Sequence, residues 1–163
     1  MACDKLLTYL DEHGISYERI THPQAYSAQE TADRARVPGR EFAKTVMIRL
    51  DGVMAMAVLP APEKVNFTLL QQAAGAETIS LATETDFHAI FPDCDLGAMP
   101  PFGNVYDLEV YVSGSMSDAP RIVFPAGTHT ELVSMSYADF ERLVQPRVAR
   151  FTFLQQAEME AGA

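Results

Sequence analysis

Residues 43–59 read AKTVMIRLDGVMAMAVL and carry the clearest structural signal in the chain. Two runs of apolar and β-branched residues flank Asp51-Gly52, a dipeptide that tolerates the positive φ angles of a two-residue turn. The stretch therefore predicts a β-hairpin. Side chains alternate along a strand, so one face of the first strand begins with a lysine and continues with apolar residues. That face consists of Lys44, Val46, Ile48 and Leu50.

Further helices and strands are predicted on both sides of the hairpin. Ser27 and Glu30 form a capping box, which predicts a helix from there to about Arg36. Hydrophobic spacing predicts the other helices at residues 4–13, 64–74, 84–91 and 137–144. It predicts the other strands at residues 15–21, 77–81, 107–112, 121–125 and 131–135. Short turns join most of the strands, which favours an α/β domain of the mixed α+β kind around a central mixed, mostly antiparallel sheet.

Three segments stay open at this level. Ser113–Ser117 looks like a flexible turn, and the tail from Arg147 carries no clear pattern. Met54 and Met56 fit either the hydrophobic core or the lining of a pocket.

Length and composition fit one cytoplasmic domain over residues 1–163. Hydrophobic residues make up 48% of the chain, yet no apolar run approaches the ~20 residues of a membrane helix. The N-terminus lacks a basic start followed by an apolar core, so we expect no secretory signal. Only Cys3 and Cys94 are present, which argues against a disulfide framework and for a reducing compartment. We therefore expect a soluble protein with no membrane partner.

The charge balance excludes broad, non-specific binding of nucleic acid. The net charge is −10, of which −1 falls on residues 1–64 and −9 on residues 65–163. Such a surface repels the body of a nucleic acid, so we expect no DNA partner. Basic residues nevertheless cluster at Arg34, Arg36, Arg40, Lys44 and Arg49. The cluster fits either a solvated helix end followed by a strand or a local rim that binds phosphate.

Lys44 has two interpretations, because it stands at the head of an apolar face. It can be a strand-end lysine whose amine extends into water. It can also hold an ammonium at the mouth of a pocket, where it would bind a phosphate or a developing oxyanion.

Two loops and one histidine are further candidates for a site. The loop Gly97–Gly103 combines prolines that fix φ with glycines that permit close backbone approach, so it can hold a ligand or be a tight connection. Gly127-Thr-His129 lies between two predicted strands, where a histidine is either solvated or functional. His22 precedes a proline that keeps it extended, and it has the same two interpretations.

Several chemistries lack their motifs in this sequence. There is no CxxC, HExxH, Walker loop, GxGxxG or GxSxG, and Asp93-Cys94-Asp95 alone is a poor metal signature. We therefore expect no metal, nucleotide or flavin cofactor. A dyad of Cys94 with His129 is conceivable, but nothing in the sequence brings the two together.

Taken in order, four motifs resemble the YbaK/prolyl-tRNA synthetase-associated domain family of aminoacyl-tRNA deacylases. The motifs are His22 with Ser27–Ala32, Ala43–Val46, Gly97–Gly103 and Phe124–His129. The likeness extends over about residues 5–145, and the tail at 147–163 has no assigned role. An acidic residue that many relatives carry after the Pro/Gly loop is absent here, where the chain reads Val112-Ser113-Gly114.

The resemblance implies a YbaK-like fold, with the sheet partly curled into a barrel, helices flanking it and a small pocket between them. It implies catalytic roles for Lys44, Gly97 and His129, although His129 can instead shape the pocket. It implies substrate-binding roles for His22, Thr45, Pro100, Pro101, Phe102, Gly103 and Gly127.

The function implied is a trans-editing deacylase, which hydrolyses the ester of a mischarged tRNA for proline. Alanine is the first candidate for the amino acid, with cysteine or serine as alternatives. The partner would be the 3′ end of aminoacyl-tRNA, with prolyl-tRNA synthetase or an elongation factor as further partners. Two other classes stay open: a non-catalytic module that binds a tRNA end, nucleotide or protein, and a metal- or cysteine-dependent hydrolase.

Overall fold

The structure is a computed structural model that describes residues 4–22, 27–92, 94–95 and 98–154. The helices in these ranges are α1 Asp4–Glu12, α2 Ala28–Ala35, α3 Phe67–Ala74, α4 Glu84–His88, α5 Gly114–Ser117 and α6 Tyr137–Val144. The strands are β1 Tyr17–Thr21, β2 Ala43–Leu50, β3 Val53–Pro60, β4 Glu63–Val65, β5 Ile79–Leu81, β6 Glu109–Ser113, β7 Arg121–Pro125, β8 Glu131–Ser136, β9 Arg147–Ala149 and β10 Thr152–Leu154. Two short 3-10 helices span Gly39–Glu41 and Gly103–Tyr106.

The predicted hairpin is confirmed and forms the centre of the largest sheet. Strands β2 and β3 pair antiparallel from Leu50↔Val53 to Ala43↔Pro60. Asp51 and Gly52 have φ angles of 51° and 81°, the two positive values that a tight hairpin turn of this length requires. The order of the five-stranded sheet is β5-β2-β3-β6-β9.

The strands of the described ranges form three sheets. Besides the five-stranded sheet, there are a three-stranded sheet in the order β1-β8-β7 and a pair of β4 with β10. Pairing is parallel between β3 and β6 and between β6 and β9, and antiparallel in the other five pairs. The predicted mixed, mostly antiparallel α+β fold is therefore confirmed.

The partial barrel is not supported, because no sheet in the described part of the chain closes on itself. A barrel would need a continuous ladder between the five-stranded and three-stranded sheets. Strands β2 and β7 instead meet at a single parallel bridge, Phe42↔Val123, just before β2 begins.

The two faces of the hairpin pack into separate hydrophobic clusters. On one face, Met47 and Met56 belong to the main core, which also contains Phe124. On the other face, Ile48 packs in a second cluster with Phe151. Burial on both faces explains why the hairpin reads as a nearly continuous apolar run. Met54 is partly buried and packs against the same core, so Met54 and Met56, left open by the sequence, both pack with the core.

Three segments differ from the sequence predictions. Residues 64–74 do not form one helix, because β4 occupies Glu63–Val65 and Asn66 then caps α3 by accepting from the Leu69 N–H at 3.0 Å. The stretch predicted as a flexible turn ends in the short helix α5. The tail adds β9 and β10 and buries Phe151 completely, so the folded part extends beyond residue 145.

Within the described ranges, no helix has the length and apolar character needed to cross a membrane.

Candidate active site

Lys44 has a fixed position at the head of β2. The side chain is half-buried, and its Nζ donates a hydrogen bond of 3.0 Å to the carbonyl oxygen of Ala61. Register places Lys44 opposite Leu59, so its amine reaches the chain just beyond the end of β3. The ammonium is therefore held by the backbone of its own hairpin, which leaves its other donors for a ligand.

Burial lowers the pKa of Lys44 below that of a free lysine. The positive charge of Lys64 lowers it further, while the carboxylate of Glu63 raises it. A partly desolvated ammonium interacts more strongly with an anion than an exposed one does. The same burial means that Lys44 loses its proton at a lower pH than an ordinary lysine.

The turn that contains Gly127 is bonded to the loop that contains Gly97. Gly127 adopts a φ of +99°, a conformation that favours glycine. Its N–H donates to the Ala98 carbonyl at 3.0 Å, and its carbonyl accepts from the Asp95 N–H at 2.8 Å. These two hydrogen bonds fix Asp95 and Ala98, which precede and follow Gly97 in the chain. Gly97 itself lies outside the described residues.

His22 joins the same end of the molecule. The residue is buried, and its backbone N–H donates to the Thr130 carbonyl at 2.9 Å directly after β1 pairs with β8. His129 lies half-buried between Gly127 and Thr130. The structure therefore brings together His22, the turn at 127–130 and the described residues Asp95 and Ala98.

The second half of the Pro/Gly loop is buried in the main core. Pro100 and Pro101 are buried, and Phe102 is completely inaccessible. Its ring centroid lies 5.5 Å from that of Phe124 and 5.4 Å from that of Phe140. This burial argues for an anchoring role of Phe102 in place of the predicted substrate contact.

Gly103 follows with no room for a side chain. A Cβ built on Gly103 would lie 2.7 Å from Val110 Cγ2 and 2.9 Å from the Leu108 carbonyl oxygen. The glycine therefore permits close packing of the loop against the main core rather than close approach of a ligand.

Lys44 and the Gly127 turn lie at the same end of the junction between β2 and β7. The bridge Phe42↔Val123 is parallel, so both strands advance in the same direction from it. Lys44 follows two residues after Phe42, and β7 leads through Pro125 directly into the turn. In the described residues, no ladder between the two strands continues beyond this bridge.

Thr45 points to the opposite face of β2 from Lys44, toward the main core with its partner Val58. Its Oγ1 is inaccessible to solvent and has no hydrogen-bond partner among the described residues. A buried hydroxyl without a partner is unfavourable. Its position toward the main core, on the side of β2 opposite Lys44, does not support the predicted substrate contact.

The predicted basic cluster is not one surface. Arg49 lies at the far end of β2, where it forms an ion pair of 2.8 Å with Asp86 and donates to the Gly52 carbonyl at 2.9 Å. This pairing holds the pKa of Asp86 well below its usual range. Arg36 and Arg40 are exposed, so they can still contribute to a phosphate-binding rim.

Comparison with known proteins identifies the family. Residues 22–143 match the aminoacyl-tRNA editing domain, which is most of the chain. The chain belongs to the aminoacyl-tRNA editing domain family. The predicted family is therefore confirmed, and with it the deacylase class of enzyme.

Two curated relatives of this editing domain differ in architecture. The multifunctional Ser/Thr-tRNA deacylase ProXp-y of Escherichia coli (strain K12) is 22% identical over 152 residues, which cover 90% of each chain. A proline–tRNA ligase of Staphylococcus aureus (strain bovine RF122 / ET3-1) is 30% identical over 114 residues. That alignment covers 68% of this chain, and the chain spans only 19% of the ligase.

Solved structures show the same fold. A crystal structure described as a candidate trans-editing enzyme for prolyl-tRNA synthetase superposes with a TM-score of 0.81 at 15% identity. The superposition covers 92% of this chain and 96% of that chain. A hypothetical protein superposes with a TM-score of 0.80 at 18% identity, covering 91% and 99% of the two chains.

The described part of the editing domain has no group of three or more His, Cys, Asp or Glu side chains arranged to hold a metal ion. Cys94 lies buried in the main core. Sequence reasoning missed the partner of Lys44, because the partner is a backbone carbonyl, which every residue type carries.

Gly103→Ala is expected to lower the free energy of unfolding by about 1–3 kcal/mol, because the added methyl overlaps Val110 and Leu108. Gly114→Ala is the matched control, since both glycines begin a short helix and a Cβ at Gly114 would meet only the Ala149 carbonyl, at 3.9 Å. Urea denaturation of both variants measures the difference. Equal stabilities would contradict the close packing of the loop.

Thr45→Val is expected to be at least as stable as the parental protein, because the substitution removes a buried hydroxyl that lacks a partner. If Oγ1 contacts the substrate, kcat/KM falls by about 3- to 10-fold, the contribution of one hydrogen bond. Thr45→Ser, which keeps the hydroxyl, should retain most of the activity. Lower stability with unchanged kcat/KM in the valine variant would show a purely structural hydroxyl.

Proposed function

We propose that this editing domain is a trans-editing deacylase that removes a small amino acid from mischarged tRNA for proline. The observation that carries the proposal is the half-buried ammonium of Lys44 beside the junction that leads to the Gly127 turn. Family membership supplies the reaction class, and the half-buried Lys44 ammonium supplies a group that can bind an anion.

The reaction itself needs little chemical activation. An aminoacyl ester is already reactive, and its α-ammonium makes the carbonyl carbon more electrophilic. Water adds its oxygen to that carbon, the ester bond breaks, and a proton goes to the ribose oxygen of the tRNA. The enzyme therefore acts mainly by holding the ester, the water and the neighbouring ribose hydroxyl in a reactive arrangement.

Three of the predicted parts of the site have a role in this arrangement. Lys44 binds the terminal phosphate or ribose region and so sets the position of the 3′ end. Backbone groups of the loop at 97–103 position the ester carbonyl or the water, and the ribose hydroxyl assists. His129 shapes the pocket for the amino acid or donates a hydrogen bond to it.

The limited selectivity of a synthetase pocket explains why such an enzyme is needed. A synthetase pocket built for a larger amino acid rejects a smaller one by only ~1–3 kcal/mol per missing methylene. A pocket that excludes proline by size would spare correctly charged tRNA while hydrolysing Ala-tRNA. The ProXp-y relative is named for Ser/Thr-tRNA, so hydroxylated amino acids belong beside alanine and cysteine among the substrates to be compared.

The net charge of −10 predicts weak affinity for tRNA and strong sensitivity to salt. Weak affinity favours delivery of the substrate by a partner in the cytoplasm, and prolyl-tRNA synthetase or an elongation factor would meet the charged tRNA there. Lys44 and the Gly127 turn provide the contact with the 3′ end, while Arg36 and Arg40 are exposed for the neighbouring phosphates.

Lys44→Met is expected to lower kcat/KM for tRNA for proline mischarged with alanine by about 100-fold or more. The substitution removes the charged group that holds the 3′ end. Lys5→Met is the matched control, because Lys5 is an exposed lysine of α1 whose ammonium lies 4.5 Å from the centre of the Tyr106 ring. Circular dichroism checks that both variants fold.

The same assay on Ala-, Cys-, Ser-, Thr- and Pro-tRNA identifies the acyl group. The proposal expects hydrolysis of at least one small mischarged species and none of Pro-tRNA. Binding without turnover across the whole panel would contradict it and indicate a non-catalytic module. Loss of activity with chelators or with Cys94→Ala would indicate a metal- or cysteine-dependent hydrolase instead.

A further inference from the structure

A groove beside the C-terminal strand is lined by polar groups from three distant parts of the chain. It has a volume of about 430 Å³, which lies within the range of small-ligand sites. Strand β10, which forms one wall, lies beyond the residues 22–143 that match the family domain. The family match therefore assigns no role to this groove. Its lining includes Glu63, Ser113, Ser115, Arg150, Thr152 and Phe153.

Four oxygen atoms in this groove form a closed ring of contacts. Ser115 Oγ donates to Glu63 Oε1 at 2.8 Å, and Thr152 Oγ1 donates to the same oxygen. Ser113 Oγ lies 2.8 Å from Ser115 Oγ and 2.9 Å from Thr152 Oγ1. Ser113 is buried at the base of the ring, with 1% of its surface exposed, whereas Ser115 is exposed.

The ring is one proton short. A hydroxyl carries one proton and an ionised carboxylate carries none, so three protons serve four contacts. Ser115 and Thr152 use their protons on Glu63, and the proton of Ser113 can reach only one of its two neighbours. One pair of oxygens therefore faces each other with no proton between them. An outside donor that replaces Ser115 at the carboxylate removes this repulsion, because Ser115 can then donate to Ser113.

The groove and Lys44 lie on the same face of the five-stranded sheet. Lys44 is opposite Leu59 of β3, and the register of β3 with β6 places Leu59 next to Ser113. Residues opposite each other in paired strands present their side chains to the same face. Two strand spacings of ~4.8 Å separate the Cα atoms of Lys44 and Ser113 by about 10 Å.

Lys44 therefore stands between this groove and the junction of β2 with β7. Just before β2, the Phe42 carbonyl accepts from the Ala61 N–H at 2.9 Å on the side of β3. The bridge of Phe42 to Val123 uses the opposite edge of the same residue. The groove and the Gly127 turn are thus reached from Lys44 in opposite directions across the sheet.

The groove has the groups that recognise an unpaired base carrying an amino group. The Glu63 carboxylate can accept a hydrogen bond from the amino group of cytosine, where uracil presents a carbonyl oxygen instead. The half-buried ring of Phe153 offers a surface on which a base can stack. Arg150 is exposed at the rim, where a guanidinium can contact a phosphate.

We propose that this groove binds the penultimate nucleotide of the tRNA, which is a cytidine, and that the cytosine amino group donates to Glu63. The inference rests on the proposed function, in which Lys44 binds the terminal phosphate of the tRNA. That phosphate joins the cytidine to the terminal adenosine, so Lys44 stands where the linkage between the two nucleotides passes. The C-terminal strand thus supplies a substrate contact that the family domain alone lacks.

Two short RNA analogues test this contact without any hydrolysis. Both end in an adenosine that carries a 3′-alanyl amide, and the preceding nucleotide is cytidine in one and uridine in the other. Nuclear magnetic resonance titration at low salt measures both values of Kd and locates the bound RNA. The parental protein is expected to bind the cytidine analogue about 5- to 50-fold more tightly. Equal affinities, or unchanged amide signals of Ser115, Thr152 and Phe153, would overturn the proposal.

Glu63→Gln is expected to abolish the preference for cytidine, because an amide can also donate to the uracil carbonyl. Glu84→Gln is the matched control, since it removes the same charge from an exposed position on α4 and should keep the preference. The amide spectra check that each variant folds. A preference for cytidine that persists in Glu63→Gln would overturn the contact.

Ser115→Ala gives a second test at an exposed position, where the substitution leaves the core intact. It removes the hydroxyl that the ligand replaces at the carboxylate, so the cytidine analogue should bind at least as tightly as to the parental protein. Binding weakened by more than about 3-fold, the value of one lost hydrogen bond, would contradict the proton count on which the subsite depends.

Binding and hydrolysis together separate this inference from the proposed function. A cytidine preference that depends on Glu63, in a protein that hydrolyses none of the mischarged tRNAs, would support the subsite and contradict the deacylase. Hydrolysis of a mischarged tRNA by a protein that binds both analogues equally would support the deacylase and overturn the subsite.

Discussion

A partly buried ammonium is the constraint on which the site depends. Removing a charged amine from water is unfavourable unless hydrogen bonds and nearby charges compensate for the lost hydration. Lys44 meets part of this condition through the Ala61 carbonyl, which accepts a hydrogen bond from its Nζ, while burial still lowers the pKa of the amine. The same desolvation makes the amine a strong partner for a phosphate.

The hairpin can hold this amine because both of its faces are buried. Met47 and Met56 anchor one face in the main core, while Ile48 anchors the other beside Phe151. A slip by one residue would exchange the two faces, so the register is strongly fixed. The single bridge Phe42↔Val123 then joins this rigid hairpin to the strand that leads into the Gly127 turn.

Local signals predicted the hairpin and the helix caps well, because turn chemistry and side-chain alternation act over a few residues. Ser27 Oγ accepts from the Glu30 N–H at 3.0 Å, as the capping box indicated. Strand β4 and the tail were missed, because short strands depend on partners far away in the chain. Phe102 shows the same limit for the site: the motif identified the loop, but only packing shows which of its residues are buried.

We propose that Lys44 and the Gly127 turn hold one 3′-terminal adenosine between them. A crystal structure of the protein with a non-hydrolysable 3′-aminoacyl-amide of adenosine tests this arrangement directly. The analogue is expected at the end of the β2–β7 junction, within hydrogen-bond distance of Lys44 Nζ and of backbone groups in the loop at 97–103. An analogue bound at another surface, with Lys44 untouched, would contradict the proposed site.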